Sequence, residues 1–350
     1  MLAYFALAVM TIGDGPVKGS AQAVKVSDAH LAHTVQVAGA SAEAVLKQLD
    51  KLLRGAGSSL NQAVKINVAV ASDEETAAVE LAFQKRFGSK NKPAVSLVSG
   101  TLADGARVAM DAVAVTPRVR PRSREVGVLP AGARLYVSGQ SAGGTLEQAT
   151  RETLDKLKAN LAWAGVGLDK VVQVKSFVDP MTSVADVRRW VDAYFGAQPP
   201  PQVFVEWTSK GRIEIELIAS LDGKTALPVE HLWPPDEKPS PVFCRMTRVA
   251  SPASIYISGL FGEPGTDGER QIRTIFAELK SVLAAGGSDL LHLAKATYYV
   301  ADDVTSRKLN EVRPEYYDPK HPPAASKAGV RGTGKQNRTV TLDMIAVPLR

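Results

Sequence analysis

An aromatic residue stands six places before a proline at three points in the chain: Phe87 before Pro93 in FGSKNKPAV, Phe195 before Pro201 in FGAQPPPQV, and Tyr317 before Pro323 in YDPKHPPAAS. Upstream of each, a helix-like pattern ends in an Ala-Gly or Gly-Gly step at Gly57, Gly165 and Gly287, and each of these glycines lies 36 residues before its proline. Three equal intervals constrain the fold more than any single motif, because a repeated spacing means a repeated supersecondary unit.

Other positions fall into line around this frame. Strand-like alternations end in glycine in HTVQVAG (Gly39), RLYVSGQ (Gly139) and SIYISG (Gly259). An amphipathic pattern follows each: SAEAVLKQLDKLLRGAG, TLEQATRETLDKLKANLAWAG and ERQIRTIFAELKSVLAAGG. Their apolar residues recur at three and four, and small residues and glycine suit the helix ends. A second strand (AVKINVAV, VVQVKSFVD, HLAKATYYVA) leads to another helix. Each unit closes on strands ending ARVAMDAVAV, RIEIELIAS or TVTLDMIAV, with Asp111, Glu216 and Asp343 in register. The predicted unit is ββαβαββ, an α+β arrangement, over residues 24–116, 126–221 and 242–350. A basic, proline-broken linker (117–125) and a proline-rich one (222–241) join the units. The first unit is shorter: Gly39 to Gly57 spans 18 residues against 26 and 28 in the others, so it lacks the loop before its first helix. Such loops carry function, and the first unit is expected to be structural.

A chain of 350 residues accommodates two or three cores, and 45% hydrophobic with 22% charged residues describes a globular protein. A net charge of +6 is mild for this length and is no nucleic-acid signature. The single cysteine, Cys244, excludes an internal disulfide and a cysteine-rich metal site. His30 and His33 are the one close histidine pair, and they read as polar residues of a strand or turn rather than metal ligands. Neither metal nor cofactor is expected. Residues 1–23 read either as a signal-like segment ending in Ala21-Gln-Ala23 or as an extra buried strand; no Lys or Arg precedes the apolar run, so a cytoplasmic protein is the expectation and export the alternative. No later run of 18 apolar residues exists, and no membrane span is expected.

Two basic segments invite a functional reading. GVRGTGKQ (329–336) has the Gly-x4-Gly-Lys spacing of a phosphate loop, but Gln336 stands where Ser or Thr should meet magnesium, and strands flank it. A glycine-rich hairpin turn is expected, with Arg331, Lys335 and Arg338 bordering an anion-accepting cleft as the alternative. Arg118, Arg120, Arg122 and Arg124 form the densest basic run, but without interleaved aromatics for base stacking they read as a solvated tether, and no nucleic-acid partner is expected.

Taken together, VSGQ (137–140), the Ala-Gly helix end, QVKSFVD, YFGAQPPP and RIEIELIA resemble the RidA (YjgF) family of reactive intermediate deaminases, most closely over the second unit. The resemblance implies a chorismate-mutase-like fold that assembles as a trimer with a small-molecule site in each cleft. Three tandem copies then imply a monomer in which one chain forms an intramolecular pseudo-trimer. It also implies hydrolysis of 2-imino acids to 2-keto acids, with an arginine two places after the motif proline holding the carboxylate. Those slots hold Val95, Val203 and Ala325. The family's acid falls at Glu214, with Ala109 and Thr341 as its counterparts. Ser138-Gly139 and Ser258-Gly259 line the cleft by the same resemblance, with Ala38 in the first unit.

Without the arginines, standard deamination is not expected. The expected function is binding of a small metabolite, a carboxylate among the candidates, in clefts between units. The alternative is a divergent imine or enamine deaminase, or related hydrolase, using Glu214, Ser138, Ser258 and Lys327. Lys327 shares a strand face with Ala325 and so could bring an ammonium near the empty slot.

Overall fold

The computed structural model describes residues 9–88, 91–223, 227–251 and 253–349. Part of the apolar start, residues 1–8, and Lys224 to Ala226 of the proline-rich linker lie outside the described residues. The strands are β1 (Val9–Asp14), β2 (Ala21–Val26), β3 (His30–Thr34), β4 (Val37–Gly39), β5 (Ala63–Val70), β6 (Ala94–Ser99), β7 (Val108–Thr116), β8 (Val126–Leu129), β9 (Arg134–Ser141), β10 (Val171–Val178), β11 (Gln202–Glu206), β12 (Ile213–Ser220), β13 (Val229–Leu232), β14 (Met246–Val249), β15 (Ser254–Ile257), β16 (Leu293–Val300), β17 (Ala324–Gly329) and β18 (Val340–Ala346). The helices are α1 (Ala42–Gly55), α2 (Thr76–Phe87), α3 (Leu146–Trp163), α4 (Val184–Phe195), α5 (Gly268–Ala285) and α6 (Asp303–Val312).

One ladder pattern occurs three times. β5 lies between parallel β6 and antiparallel β7, β10 between β11 and β12, and β16 between β17 and β18. Each outer strand then takes an antiparallel partner: β3 and β4 on β7, β9 on β12, β15 on β18. The short leading strands do not pair back onto the strands that follow them. Instead β8 adds to β3, β14 to β9, and β2 to β15. Each repeat thus lends a strand to another repeat's sheet, and the last of these additions joins the first repeat to the third.

The packing follows the same exchange. Helices α1 and α2 cover the first ladder through Leu46, Leu49 and Phe83, and Val128 of β8 is part of that core. The second core includes Met246 of β14, and the third includes Ile12 of β1 and Ala23 of β2. The sheet faces turned away from the helices form two shared apolar clusters. One joins Val24, Val113, Tyr136, Val172, Tyr256 and Ile345, and the other joins Ala69, Val98, Phe177, Val205, Tyr299 and Val330. Burial of this kind contributes roughly 25 cal/mol per Å² of apolar surface removed from water.

Three expectations change. A boundary at residue 24 cuts through β2, which runs from Ala21 to Val26 and is buried on both faces, Ala23 in the third core and Ala21, Val24 and Val26 in a shared cluster. The proline-rich linker holds a strand, β13, whose VEHL pairs with β14. The arginine-rich linker is tied down rather than solvated along its length: Arg120 donates to Gly55 O (2.9 Å), Arg122 donates to the carbonyls of Gln198, Leu168 and Val171 (2.7–2.8 Å), and Arg124 pairs with Asp192. Carbonyls at helix and strand ends need such donors, which removes those guanidinium groups from service to an outside anion.

Candidate functional site

Strand register fixes which residues of the three repeats are equivalent. Asp111, Glu216 and Asp343 stand opposite Asn67, Lys175 and Thr297. Counted from there, Val95, Gln202 and Ala325 share one position, and Ser96, Val203 and Ser326 share the next. The second repeat's slot residue is therefore Gln202, not Val203. The run Pro199-Pro200-Pro201 adds a residue to the count from Phe195. Gln202 turns toward α4, where its Nε2 donates to Asp192 Oδ1 (2.7 Å). Val203 instead lines a central cavity.

The first repeat shifts as well. Ala38 faces Ala109, whereas Glu214, the counterpart of Ala109, faces Ser141. Val35 and Gln36, rather than Ala38 and Gly39, are thus the equivalents of Ser138 and Gly139. Backbone bonds agree: the amides of Val35, Ser138 and Ser258 donate to Glu125 O, Arg245 O and Gln22 O respectively.

With this register, the cleft between the second and third repeats gathers most of the residues singled out from the sequence. Gly139 N–H donates to Ser326 Oγ (3.0 Å), which donates to Glu216 Oε2 (2.6 Å). Glu214 lies against Gly139 so closely that a Cβ at 139 would fall 1.9 Å from Glu214 Oε1. A larger residue at 139 would therefore displace the Glu214 carboxyl. Burial, reinforced by the negative charge of Glu216, pushes the Glu214 carboxyl up to about 8, against the opposing pull of Ser326, Arg245 and Lys327. Near neutral pH such a group can both give and take a proton.

Lys327 donates to Ser306 O (3.1 Å) on α6, and its pKa is lowered by burial and by Arg313. Sequence reasoning missed Arg245. Its Nε is held by both oxygens of Glu237 (2.7 and 3.0 Å), and its Nη1 lies 3.5 Å from Ser138 Oγ and Gly139 O. Glu214, Gly139, Lys327 and Arg245 each keep part of their surface exposed, while Ser138 and Ser326 are buried.

The other two clefts are built on the same backbone but filled. Between the third and first repeats, Gly259 N–H donates to Val95 O (2.8 Å), Ser258 Oγ donates to Ala21 O (2.6 Å) and accepts from Val95 N–H (2.7 Å), and Thr341 Oγ1 donates to Leu260 O (3.0 Å). Ser258 and Thr341 have no exposed surface. Ser258 and Gly259 are therefore packing residues. Between the first and second repeats, the Gln36 side chain spans the gap, donating to Phe204 O (2.9 Å) and accepting from Phe204 N–H (3.3 Å), beside Ala109.

The sequence also concealed a buried charge layer between the two shared apolar clusters. Lys65 contacts Ser96 Oγ, Ile257 O and Asp343 (2.6, 2.6 and 3.1 Å). Lys175 contacts Tyr299 Oη, Asp343 and Glu216 (2.7, 3.4 and 3.8 Å), and Lys295 contacts Glu216 and Thr297 (2.8 and 2.7 Å). Burial opposes charge on Asp343 and Glu216, but the lysines hold both below the usual carboxylate range. Asp111 forms no ion pair among the described residues and is held by the Asn67 amide (3.0 Å); burial lifts it to about 6 against the opposing charge of Lys175. The cavity among these groups measures about 40 Å³, room for water rather than for a metabolite. One lysine inside each of AVKINVAV, VVQVKSFVD and HLAKATYYVA, facing an acid-bearing strand, was the signal available in the sequence.

The remaining candidates are occupied. Arg331 is held by Glu206 (2.7 Å), and Lys335 contacts Glu80 and Pro16 O, so the glycine-rich turn bonds across repeats instead of facing a ligand. His30 Nδ1 accepts from Ala131 N–H, and among the described residues no group of three His, Cys, Asp or Glu could hold a metal ion. Among them, too, no helix is long and apolar enough to cross a membrane.

The glycine-lined acid facing a strand of the next repeat occurs at one junction, Glu214 beside Gly139, and known proteins carry segments related to the repeats that form it. The profile of the family described as Endoribonuclease L-PSP matches residues 120–221 and 246–347, more than half of the chain. A RutC family protein of Pyrococcus horikoshii is 33% identical over 85 residues, 23% of this chain and 68% of that protein. The RutC family protein YjgH of Escherichia coli is 34% identical over 109 residues, 28% of this chain and 83% of that protein. The chain belongs to this family, the RidA/YjgF family of L-PSP endoribonuclease-like proteins. Among solved structures, a YjgF family member from Neisseria meningitidis aligns with 35% of this chain and 96% of its own, at 20% identity and a TM-score of 0.27. A chorismatase aligns with 93% of this chain and 77% of its own, at 11% identity and a TM-score of 0.43.

Proposed function

We propose that the three repeats are all RidA-like units and close on one another as an intramolecular pseudo-trimer, and that this monomer binds a small metabolite in the cleft between the second and third units. The strand exchange supports the first part, since β2, β8 and β14 each complete another repeat's sheet. One observation carries the second. Glu214 sits partly exposed against Gly139 with Lys327 and Ser326 opposite, while the matching positions elsewhere are Ala109 beside Gln36 and Thr341 beside Gly259. One cleft is thus equipped, one is packed shut at Ser258 and Thr341, and the third is bridged by Gln36 and carries no acid.

Val95, Gln202 and Ala325 leave the strand slot without a cation, so the family's usual carboxylate grip is absent from it and standard 2-imino acid deamination is not the favoured activity. A divergent deaminase or hydrolase is the second reading, favoured by the raised pKa of Glu214. The test is ligand binding, together with keto-acid release from freshly generated 2-imino acids, by the purified chain and by its Glu214→Gln variant. Binding without turnover supports the first reading. Turnover lost in the variant supports the second, and a chain that neither binds nor turns over any small carboxylate or amide would sink both. A solution mass equal to three chains would count against the monomer.

A further inference from the structure

Arg313 follows α6 and is 3% exposed. Its Nη2 donates to Asn310 Oδ1 (3.0 Å), and its guanidinium lies 4.8 Å from the centre of the Tyr298 ring. Its Nε and Nη1 have no hydrogen-bond partner, and among the described residues it forms no ion pair. A buried cation in that condition is costly, because one neutral hydrogen bond and stacking on a ring offset only part of its desolvation. Tyr298 is the strand neighbour of Lys327. Among the described residues Lys327 likewise has no carboxylate within ion-pairing distance, and it donates a hydrogen bond to a carbonyl, Ser306 O. Lys327 and the slot residue Ala325, whose side chain ends at Cβ, share one face of β17, and the Arg313 guanidinium lies over Tyr298, the β16 neighbour of Lys327, so two cations with no ion-pair partner among the described residues flank that face. The charge on Lys327 is felt by Glu214 across the cleft, and the charge on Arg313 is felt by Lys327, so the three groups share one electrostatic neighbourhood.

We propose that Arg313, with Lys327, forms the anion-holding end of this cleft: the helix supplies the guanidinium that the strand slot lacks, and it takes the carboxylate of a small ligand whose other end meets Glu214. This rests on the reading of that cleft as the binding site. A carboxylate would supply acceptors to buried donors that now have none, and charge-assisted hydrogen bonds are the strong ones.

The experiment is titration of the full chain with pyruvate, pyruvamide and inorganic phosphate, followed by backbone amide shifts, for wild type, Arg313→Met, Arg313→Lys and Gly139→Ala. Pyruvate is expected to bind wild type, to lose about tenfold or more in affinity in Arg313→Met, and to lose less in Arg313→Lys. Pyruvamide is expected not to bind. The ligand-free Arg313→Met protein is expected to melt no lower than wild type, since it loses a buried charge that has no counterion; a marked drop in Tm would show that the charge is already compensated and would overturn the proposal. Pyruvate binding unchanged in Arg313→Met but lost in Gly139→Ala would remove Arg313 and leave the cleft reading standing. Binding unchanged in both variants would remove both readings, whereas no binding of either anion to wild type would overturn the anion-holding end and leave the cleft reading to its own test. Phosphate binding that needs Arg313, without pyruvate binding, would keep the anion site and overturn the carboxylate.

Discussion

The cleft between the second and third repeats and the cleft between the third and first use one backbone device to opposite ends. In both, a Ser-Gly step lies beside a strand of the next repeat, and the glycine's N–H is bonded across the junction. In the first, that N–H meets a side chain, Ser326 Oγ, and the glycine's empty Cβ position is taken by the Glu214 carboxyl. In the second, it meets a backbone carbonyl, Val95 O, and the residue beyond the glycine is Thr341, turned away to Leu260 O. A backbone bond draws the strands together and excludes water, whereas a side-chain bond leaves partly solvated space in which an acid can stay. A duplicated fold need not keep duplicated sites, because a few side chains at fixed backbone positions decide whether a junction opens or seals.

The largest expected effect comes from moving the acid. Thr341→Glu would place a carboxyl in a junction with no exposed surface and leave Leu260 O without its donor. A loss of roughly 3–5 kcal/mol of stability is expected, the usual magnitude for an uncompensated buried charge. Denaturant melts at pH 7 measure it; a loss below about 1 kcal/mol would mean the two junctions do not differ in the way described.

Next comes the acid already present. Its folded pKa, about 8, lies above the ordinary glutamate value of 4.5, so the native state binds the extra proton. The stability attached to that proton is fully present below pH 4.5 and is lost as pH rises through 8. Glu214→Gln should therefore match wild type near pH 4 and melt higher than wild type at pH 9. Parallel pH profiles would remove the claim that the cleft holds a protonated acid at neutral pH.

Much of this was legible before any coordinates. Periodicity exposed the three ladders because strand, helix and glycine signals are local. Glu214, Gly139 and Lys327 could be singled out as candidates because motif order survives in the second and third repeats. Register was harder. The break between β3 and β4 at Val35 and Gln36 lets Gly39 mimic the strand-ending glycines of the other repeats, and an extra proline moved the slot from Gln202 to Val203. Arg245, Arg313 and the lysine layer stayed hidden for another reason: their meaning lies in pairings between distant segments, such as Lys65 with Asp343 or Lys175 with Tyr299, which no local pattern records.

A smaller effect separates the two glycines. Gly139→Ala sets a methyl 1.9 Å from Glu214 Oε1, and the carboxyl must leave. Because that carboxyl is the end of a rotatable chain, the stability cost is expected near 1 kcal/mol, with the pH dependence just described largely abolished. Gly259→Ala meets Thr341 Oγ1 at 3.0 Å and the Leu342 carbonyl at 3.4 Å, a milder crowding with no acid to displace. It is expected to lower Tm slightly and to leave the pH profile of stability as it is. A change of pH profile in the second variant would mean that Glu214 does not own the titration.

The smallest expected effect is that of Lys327→Ala. Among the described residues the half-buried ammonium makes one hydrogen bond, to Ser306 O, and no ion pair, so its removal should cost no more than about 1 kcal/mol. Its charge, however, favours ionised Glu214 across the cleft. Removing it should move the Glu214 titration upward from about 8, which carbon-detected NMR of the glutamate carboxyl would read directly. An unmoved titration would place Lys327 outside the field of the acid, and the equipped cleft would then have to be built from Glu214, Ser326 and Arg245 alone.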